Sequence, residues 1–298
     1  MCGIVGLFLK DKSLEPSLGT MLSDMLVTMT DRGPDSAGIA VYGDSDESKL
    51  KVSIQSDTPE EDFDRLSSKL TDAFGPNYAL ERKSTHAICT IPDDRLGDFK
   101  EILTNQFPDL TMMSRGETME IFKEVGLPSD VLARFEIAKM SGTHGIGHTR
   151  MATESAVTTN GAHPFSTGAD QCLVHNGSLS NHNNLRRQLT HHGITMETEN
   201  DSEVAAAYLT WRMQEGANLG EALESGLKDL DGFFTFVVGT KDGFGVLRDP
   251  IACKPAVLAE TDQYVAFGSE YRALVNLPSI ADAKIWEPEP ATVYFWER

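Results

Sequence analysis

Apolar positions along the chain follow two patterns, a continuous run and a helical spacing, and each pattern predicts a different kind of element. Residues 2–9 (C-G-I-V-G-L-F-L) form an uninterrupted apolar run, which is typical of a fully buried strand. Apolar residues then recur at alternating steps of three and one, namely Leu18, Met21, Leu22, Met25, Leu26 and Met29. This spacing predicts an amphipathic helix with one face in the core. The loop D-R-G-P-D-S-A-G ends that helix, and I-A-V-Y-G follows as a strand.

Between residue 44 and about residue 140 the character changes, because this segment is rich in Asp, Glu, Ser and Lys but keeps helical apolar spacing. Two predicted helix faces consist of Phe63, Leu66, Leu70 and Phe74, and of Leu96, Phe99 and Leu103. Residues 87–91 between them have the pattern of a strand. This combination predicts a small α+β insertion rather than a disordered linker.

Beyond residue 144 the chain is dense in Gly, His and short apolar runs. Asn200 or Asp201 can cap a helix that runs from Ser202 towards Gln214, and Glu203 completes a capping-box pattern with Asn200. Four short strands are then predicted: G-F-F-T-F-V-V-G, G-F-G-V-L-R-D, P-A-V-L-A and Y-V-A-F-G-S-E. Many short strands with few helices favour an α+β sandwich over a doubly wound parallel sheet.

The composition narrows the choice of partner and compartment. The 298 residues carry 26 Lys plus Arg against 45 Asp plus Glu, which gives a formal net charge of −19. An acidic surface repels nucleic acid and anionic membranes, so neither is expected as a main partner. The sequence has no apolar stretch of membrane-spanning length, and its first residues lack the features of a secretory signal. We therefore expect a cytoplasmic protein.

The four cysteines include no C-x-x-C pair, which disfavours a metal site or a disulfide scaffold. Cys89, Cys172 and Cys253 stand in apolar surroundings and are predicted to be buried. Cys2 differs, because trimming of the initiator Met would make it the N-terminal residue. It would then carry a thiol nucleophile together with an α-amine that titrates near pH ~7.7–8.0 in peptides and can act as its base. The alternative is a small buried residue in the first strand.

Four further residues supply complementary chemistry. Arg150 has a planar guanidinium that binds carboxylates bidentately. Asn176 and Gly177 offer adjacent amide donors of the kind an oxyanion hole requires, and Asp201 suits a substrate ammonium. Taken singly, the same residues fit a surface salt bridge, a hairpin turn and a helix cap, respectively. Together they describe a site for a molecule with a carboxylate, an ammonium and a cleavable carbonyl, as in glutamine.

An ordered set of motifs strongly resembles the class II glutamine amidotransferases: M-C-G-I-V-G, R-G-P-D-S-A-G, G-H-T-R, H-P-F, H-N-G and D-S-E-V. The segments L-R-D-P-I-A-C-K-P and F-G-S-E-Y-R-A-L resemble the closing strands of the purine-biosynthetic and glutamate-synthase branches. The resemblance covers residues 1–55 and about 141–275. It implies a four-layer αββα sandwich of the N-terminal-nucleophile hydrolase type within residues 1–298, interrupted by the insertion at about 56–140 and followed by a short tail at about 278–298.

The same resemblance implies the chemical steps. Cys2 would attack the side-chain carboxamide of glutamine, with its own amine as the base. Asn176 and Gly177 would form the oxyanion hole. Ammonia would leave first, and water would then hydrolyse the γ-glutamyl thioester to glutamate.

The resemblance also implies which residues bind and support the substrate. Arg150 would hold the α-carboxylate of glutamine, and Asp201 with Gly177 would hold the α-ammonium. Arg32 and Thr153 would support the site. The histidines within the motifs are interpreted as structural, because the amine already provides a base: His148, His163 and His175.

Two departures from the family pattern bear on the destination of the ammonia. Met151 and Glu154 stand where sugar-directed members carry Trp and His, which disfavours hexosamine synthesis. No synthase motif accompanies the amidotransferase domain, so we expect separate synthase subunits. The layout resembles the amidotransferase subunit of glutamate-synthase-like complexes, in particular methylamine–glutamate N-methyltransferase (N-methylglutamate synthase). That resemblance implies FMN and an iron–sulfur cluster on partner subunits, with no cofactor or metal on this chain.

Two alternatives from other classes remain. The chain can be a non-catalytic assembly or regulatory subunit that keeps the fold, in which case Met1 would be retained and would block the amine. It can also be an amidase of the same fold that acts without an acceptor partner. A substrate lacking the amino-acid head group would need neither Arg150 nor Asp201.

Overall fold

The structure is a computed structural model and describes residues 2–152 and 156–298. Within these residues there are sixteen strands: β1 Gly3–Leu9, β2 Ser36–Tyr42, β3 Lys49–Gln55, β4 Ala79–Lys83, β5 His86–Pro92, β6 Thr111–Gly116, β7 Met119–Val125, β8 His144–Arg150, β9 Phe165–Gly168, β10 Gln171–Leu179, β11 Gly232–Gly239, β12 Gly243–Arg248, β13 Val257–Glu260, β14 Tyr264–Gly268, β15 Lys284–Trp286 and β16 Thr292–Glu297.

The helices of the same residues are α1 Leu18–Val27, α2 Pro59–Phe74, α3 Leu96–Gln106, α4 Pro128–Arg134, α5 His182–His191, α6 Asp201–Gln214 and α7 Leu219–Asp229. Short 3-10 segments lie at Lys12–Ser17, Thr30–Arg32, Asp93–Arg95, Ile137–Lys139, Tyr271–Ala273 and Ile280–Asp282. No helix of residues 2–152 and 156–298 is both long and apolar enough to cross a bilayer.

The larger of the two main sheets has β1 as its middle strand. Its order is β15-β13-β14-β1-β8-β2-β7, with every neighbouring pair antiparallel. Val5 therefore pairs with Gly268 on one side and with Gly147 on the other. Every residue of β1 is buried, which explains its continuous apolar run.

The second main sheet packs face to face on the first. Its order is β16-β12-β11-β10-β9, again antiparallel throughout. Inward-facing side chains of both sheets form one core, including Ile4, Phe8, Ile146, Val174, Val237 and Phe244. Gly6 allows the close approach, because a Cβ at that position would lie 2.6 Å from the ring of Phe244.

Helices cover the outer faces of both sheets. The apolar stripe of α1 and the buried residues of α4 pack on the larger sheet, whereas α5, α6 and α7 pack on the smaller one. The helix–sheet–sheet–helix order confirms the predicted four-layer αββα sandwich, and the second core consists of residues from α5, α6, α7 and the strands beneath them.

A third, separate sheet has the order β4-β5-β3-β6 and packs against α2 and α3 around its own apolar core. β7 and α4 follow it in the chain but belong to the layers of the larger main sheet. The predicted insertion at about 56–140 therefore combines elements of the third sheet with β7 and α4 of the larger main sheet's layers, and β3 of the third sheet lies entirely before it. The segment at about 278–298 supplies β15 and β16, which are edge strands of the two main sheets.

Most local elements match the sequence patterns, and two interpretations are wrong. Cys253 is exposed, because it lies in the loop between β12 and β13, directly after Ala252 with its positive φ of 53°. Asn200 does cap α6 by accepting from the Ser202 N–H. However, the carboxylate of Glu203 accepts from the N–H groups of Glu197 and Thr198 instead of closing a capping box.

Candidate active site

Cys2 immediately precedes the middle strand of the larger sheet, and the backbone on its C-terminal side is held by side chains from both neighbouring strands. The Gly3 N–H donates to Thr149 Oγ1 at 3.2 Å, and the Ile4 N–H donates to Ser269 Oγ at 2.9 Å. Thr149 lies on β8, and Ser269 follows β14. The first residues of the strand are therefore fixed on both sides.

The carbonyl oxygen of Cys2 accepts two further hydrogen bonds. Arg32 Nε donates to it at 3.0 Å, and Asn176 Nδ2 donates at 3.2 Å. Three of the predicted site residues are thus brought together by direct contact. Because a side-chain amide has two N–H groups, Asn176 keeps one donor for a second acceptor while it holds Cys2.

The surroundings of the Cys2 thiol favour its ionised form. Burial acts against ionisation, but the electrostatic attraction of His148 and the backbone N–H of Met151 outweigh it and lower the pKa from 9.0 to about 7. His148 pairs with Ile4 across the β1–β8 ladder, so its side chain lies on the same face as Cys2. His148, interpreted as structural from the sequence, is therefore also an electrostatic neighbour of the thiol.

Two more motif histidines lie behind His148. His163 stacks on His148 with ring centroids 4.0 Å apart, and the His175 carbonyl oxygen lies 3.0 Å from His148 Nε2. Burial lowers the pKa of His163 well below its ordinary value. Burial also lowers the pKa of His175 to about 4, although Asp201 acts in the opposite direction. These two imidazoles are therefore neutral packing groups at neutral pH.

Gly177 follows Asn176 on β10 and has a φ of 154°. A Cβ at this position would lie 2.0 Å from the carbonyl oxygen of Phe233 and 2.8 Å from His175 Nε2. Neither the backbone angle nor the space admits a side chain, so the predicted oxyanion position requires glycine.

Asp201 is the first residue of α6 and is already engaged in holding the site together. Its Oδ2 accepts from the Leu179 N–H at 2.9 Å, and its Oδ1 accepts from Ser202 Oγ at 3.3 Å. His175 Nδ1 lies 3.8 Å from the same Oδ1. A carboxylate has about four lone-pair positions, so acceptor capacity for a substrate ammonium remains.

Arg150 is buried at the end of β8, where it pairs with Ser36. Since Gly3 pairs with Thr149, Arg150 and Cys2 lie next to each other at the same end of the paired strands β8 and β1. Arg150 Nη1 donates to the Ala156 carbonyl at 3.3 Å, which ties it to the following loop. Thr153, the other predicted supporting residue, lies outside the described residues.

Sequence reasoning assigned no role to several residues that complete the site. Glu270 Oε1 accepts from Arg32 Nη1 at 2.6 Å, and Asp35 Oδ2 accepts from the Ala152 N–H at 2.8 Å. Thr149 and Ser269 anchor β1 as described above. All four residues lie within motifs that the sequence displays, namely R-G-P-D-S-A-G, G-H-T-R and F-G-S-E-Y. Motif membership could therefore have marked these residues as candidates, but the spacing of the motifs does not predict which contacts the four residues make.

Lys123 on β7 is a second unpredicted feature. Its ammonium is buried and donates to the carbonyls of Asn160, Ala162 and Pro164 at 2.9–3.3 Å. Burial lowers its pKa to about 8. Lys123 therefore fixes residues 160–164, which directly precede β9. Among residues 2–152 and 156–298, no cluster of His, Cys, Asp and Glu has the arrangement of a metal site.

Comparison with known proteins gives consistent results. Residues 148–276 match the family described as glutamine amidotransferase domain. The chain is 68% identical to the glutamine amidotransferase-like protein GlxB of Rhizobium meliloti, with 100% of this chain and 98% of that protein covered. It is 32% identical to a putative glutamine amidotransferase of Methanothermobacter thermautotrophicus, with 99% of each chain covered. The structure of glutamine phosphoribosylpyrophosphate amidotransferase from B. subtilis is similar in fold, with a TM-score of 0.62 at 19% identity over 99% of this chain and 47% of that chain.

Proposed function

The chain belongs to the class II glutamine amidotransferase family, and on that premise we propose that it hydrolyses L-glutamine to glutamate and ammonia through a Cys2 thioester. The observation that carries the proposal is the joint hold of Arg32 and Asn176 on the Cys2 carbonyl, beside a thiol whose pKa is lowered to about 7. This arrangement presents an activated nucleophile in a fixed direction, which is what acyl transfer requires.

Recognition of glutamine depends on its head group in this proposal. Arg150 binds the α-carboxylate, because a guanidinium matches a carboxylate with two parallel hydrogen bonds. Asp201 and the backbone of Gly177 bind the α-ammonium. Both side chains lie on elements that meet at the Cys2 end of the sandwich, Arg150 at the end of β8 and Asp201 at the start of α6.

The reaction proceeds in two halves. The Cys2 α-amine, exposed by removal of Met1, takes the thiol proton while sulfur attacks the carboxamide carbon. The C–N bond then breaks, the amine returns the proton, and ammonia leaves. Water attacks the resulting thioester with the same amine as base, which releases glutamate and restores the thiol.

Charge that develops on the carboxamide oxygen is stabilised by the free N–H of Asn176 and the backbone N–H of Gly177. One such donor contributes about 2.7–4 kcal/mol at the transition state. Because Asn176 also holds the Cys2 carbonyl, the nucleophile and the oxyanion hole share one rigid support.

We further propose that the ammonia passes to a separate synthase subunit of the glutamate-synthase or N-methylglutamate-synthase type. The motif resemblance to those branches supports this destination, as do the departures at Met151 and Glu154. FMN and an iron–sulfur cluster would belong to those partners. A shielded route is needed, because free ammonia becomes protonated and diffuses away.

The first test compares Cys2→Ala with Cys253→Ala, a control that removes an exposed thiol. We expect glutamate release from glutamine to be lost in the first variant and unchanged in the second. A glutamine analogue with an alkylating group in place of the carboxamide should add one mass increment at Cys2. Intact-mass measurement should find Met1 removed from the active protein.

Glutamine hydrolysis by the Cys2 variant, or full activity with Met1 retained, would contradict the mechanism and favour a non-catalytic or unrelated role. The partner proposal is tested separately by purification from native cells. Co-purification of FMN- and iron–sulfur-bearing chains supports it, and a monomer with full glutaminase activity and no acceptor chemistry contradicts it.

A further inference from the structure

Arg32 links the nucleophile to a carboxylate that the proposed mechanism does not use. Its side chain is only 8% exposed, with Nε on the Cys2 carbonyl at 3.0 Å and Nη1 on Glu270 Oε1 at 2.6 Å. Glu270 directly follows Ser269, whose hydroxyl accepts from the Ile4 N–H. Two neighbouring residues after β14 thus hold the start of β1, one directly and one through Arg32.

The two carboxylate oxygens of Glu270 have different partners. Oε1 binds the buried Arg32, whereas Oε2 binds Nε of Arg272 at 2.8 Å. Arg272 in turn lies 3.3 Å from Asp31, the residue before Arg32 in the chain. Glu270 is therefore clamped in one orientation by charges on both sides, and it presents a fixed acceptor to Arg32.

We propose that Glu270 is a positioning residue for the nucleophile, a role that rests on the proposed glutaminase function. A guanidinium is planar, so fixing Nη1 on Glu270 and Nε on Cys2 leaves Arg32 one orientation. The Cys2 carbonyl then has both lone pairs occupied, one by Arg32 and one by Asn176. This saturation sets the direction of the thiol relative to the oxyanion hole.

Removing the Glu270 carboxylate frees Arg32 to leave the Cys2 carbonyl. Asn176 would then hold Cys2 alone, and the nucleophile would lose its alignment while the glutamine-binding residues Arg150 and Asp201 stay in place. The proposal therefore predicts a defect in the chemical step with little change in substrate binding.

A purely structural role for Glu270 predicts a different result. Its backbone carbonyl accepts from the Ala273 N–H in the following 3-10 turn, and that bond does not involve the side chain. The carboxylate is 34% exposed, but its partner Arg32 is only 8% exposed, so removing the carboxylate leaves a buried guanidinium without that ion pair and should lower the thermal midpoint. A purely structural role predicts this lower midpoint with the kcat of the folded protein unchanged, whereas a positioning role predicts that kcat falls as well.

The test compares Glu270→Ala and Glu270→Gln with the matched control Glu260→Ala. Glu260 on β13 is 30% exposed and pairs with Lys10 at 2.6 Å, so it is a carboxylate of the same sheet with similar exposure and no link to Cys2. For Glu270→Ala we expect kcat to fall about 10- to 100-fold with KM for glutamine within about threefold of wild type. Glu270→Gln keeps an acceptor oxygen for Arg32 and should recover most of kcat. Glu260→Ala should leave both constants unchanged.

A crystal structure of the Glu270→Ala protein provides a readout that does not depend on glutaminase activity. We expect Arg32 Nε to move out of hydrogen-bond distance of the Cys2 carbonyl. Retention of that bond, kcat within about twofold of wild type, or a rise in KM with kcat unchanged would each overturn the inference. Failure of the proposed function gives a different pattern, because the wild-type protein itself would then release no glutamate while the displacement of Arg32 could still be observed.

Discussion

Gly177→Ala is the substitution for which the structure gives the sharpest expectation. The added methyl group would lie 2.0 Å from the Phe233 carbonyl oxygen, 2.6 Å from Phe234 Cα and 2.8 Å from His175 Nε2. The two closest atoms belong to the backbone of the neighbouring strand, so a side-chain rotation cannot relieve the contact. β10 and β11 must separate at this point, and Asn176 must move with β10.

The expected magnitudes follow from these contacts. A positive φ costs an L-residue about 1–2 kcal/mol, and forcing a methyl group into packed backbone costs about 1–3 kcal/mol more. We therefore expect the free energy of unfolding to fall by roughly 2–5 kcal/mol. Relief of a 2.0 Å contact requires a displacement on the order of 1 Å, and a misplacement of that size lowers kcat by about 100-fold.

The assay measures glutamate release under saturating glutamine together with the thermal midpoint. Gly193→Ala is the matched control, since Gly193 has a φ of 80° but nothing within 4 Å of its potential Cβ. The control carries the cost of the backbone angle without the clash. We expect it to lose about 1–2 kcal/mol of stability and to keep the wild-type kcat.

Folded Gly177→Ala protein that retains kcat within about threefold of wild type would contradict the role of the clash. An equal loss of activity in Gly193→Ala would contradict it too, because the effect would then come from the backbone angle alone. Should Gly177→Ala fail to fold, Asn176→Ala tests the same oxyanion position without a clash, with an expected loss of about 10²–10³ in kcat.

Three further predictions concern other parts of the site. In a Cys253→Ala background, the alkylation rate of Cys2 should rise with pH around a midpoint near 7. His148→Gln should move that midpoint upward, because burial then raises the pKa of the thiol without the electrostatic attraction of the imidazole. An unchanged midpoint would contradict the role of His148. Arg150→Ala should raise KM for glutamine about tenfold or more with a smaller effect on kcat, as measured by steady-state kinetics, and a normal KM would exclude it as the carboxylate ligand. Lys123→Met should lower the urea midpoint, because the buried Ala162 and Pro164 carbonyls lose their donor at about 1–3 kcal/mol each and the partly buried Asn160 carbonyl loses its donor as well; unaltered stability would show that these carbonyls find other partners.

Local sequence patterns predicted the elements of the fold well where one period dominates. The apolar stripe that begins at Leu18 and the face that begins at Phe63 correspond to α1 and α2, because helical periodicity is a property of neighbouring residues. Glu203 is a position where the local pattern predicted the wrong contact. Its position fits a capping box, but the chain folds back so that the Glu197 and Thr198 amides reach it first.

Contacts between distant parts of the chain were not predictable from spacing. Glu270 and Arg32 are separated by 238 positions, and only the pairing of β14 with β1 brings them together. The chemistry of the side chains singled out Cys2, Arg150, Asn176 and Asp201 as candidates, and the resemblance to a known family then assigned their roles. It did not supply the buried ammonium of Lys123, because a lysine on a strand carries no signal that distinguishes a buried position from an exposed one.

The position of β1 in the larger sheet has a consequence for biosynthesis. β1 is synthesised long before β14, and the Ile4 N–H donates to Ser269 Oγ, 265 positions later in the chain. The pairing of β1 with β14 cannot form until β14 has been made, so that side of β1 stays unpaired while the intervening chain is synthesised. A truncated chain that lacks β14 therefore cannot assemble the candidate site around Cys2.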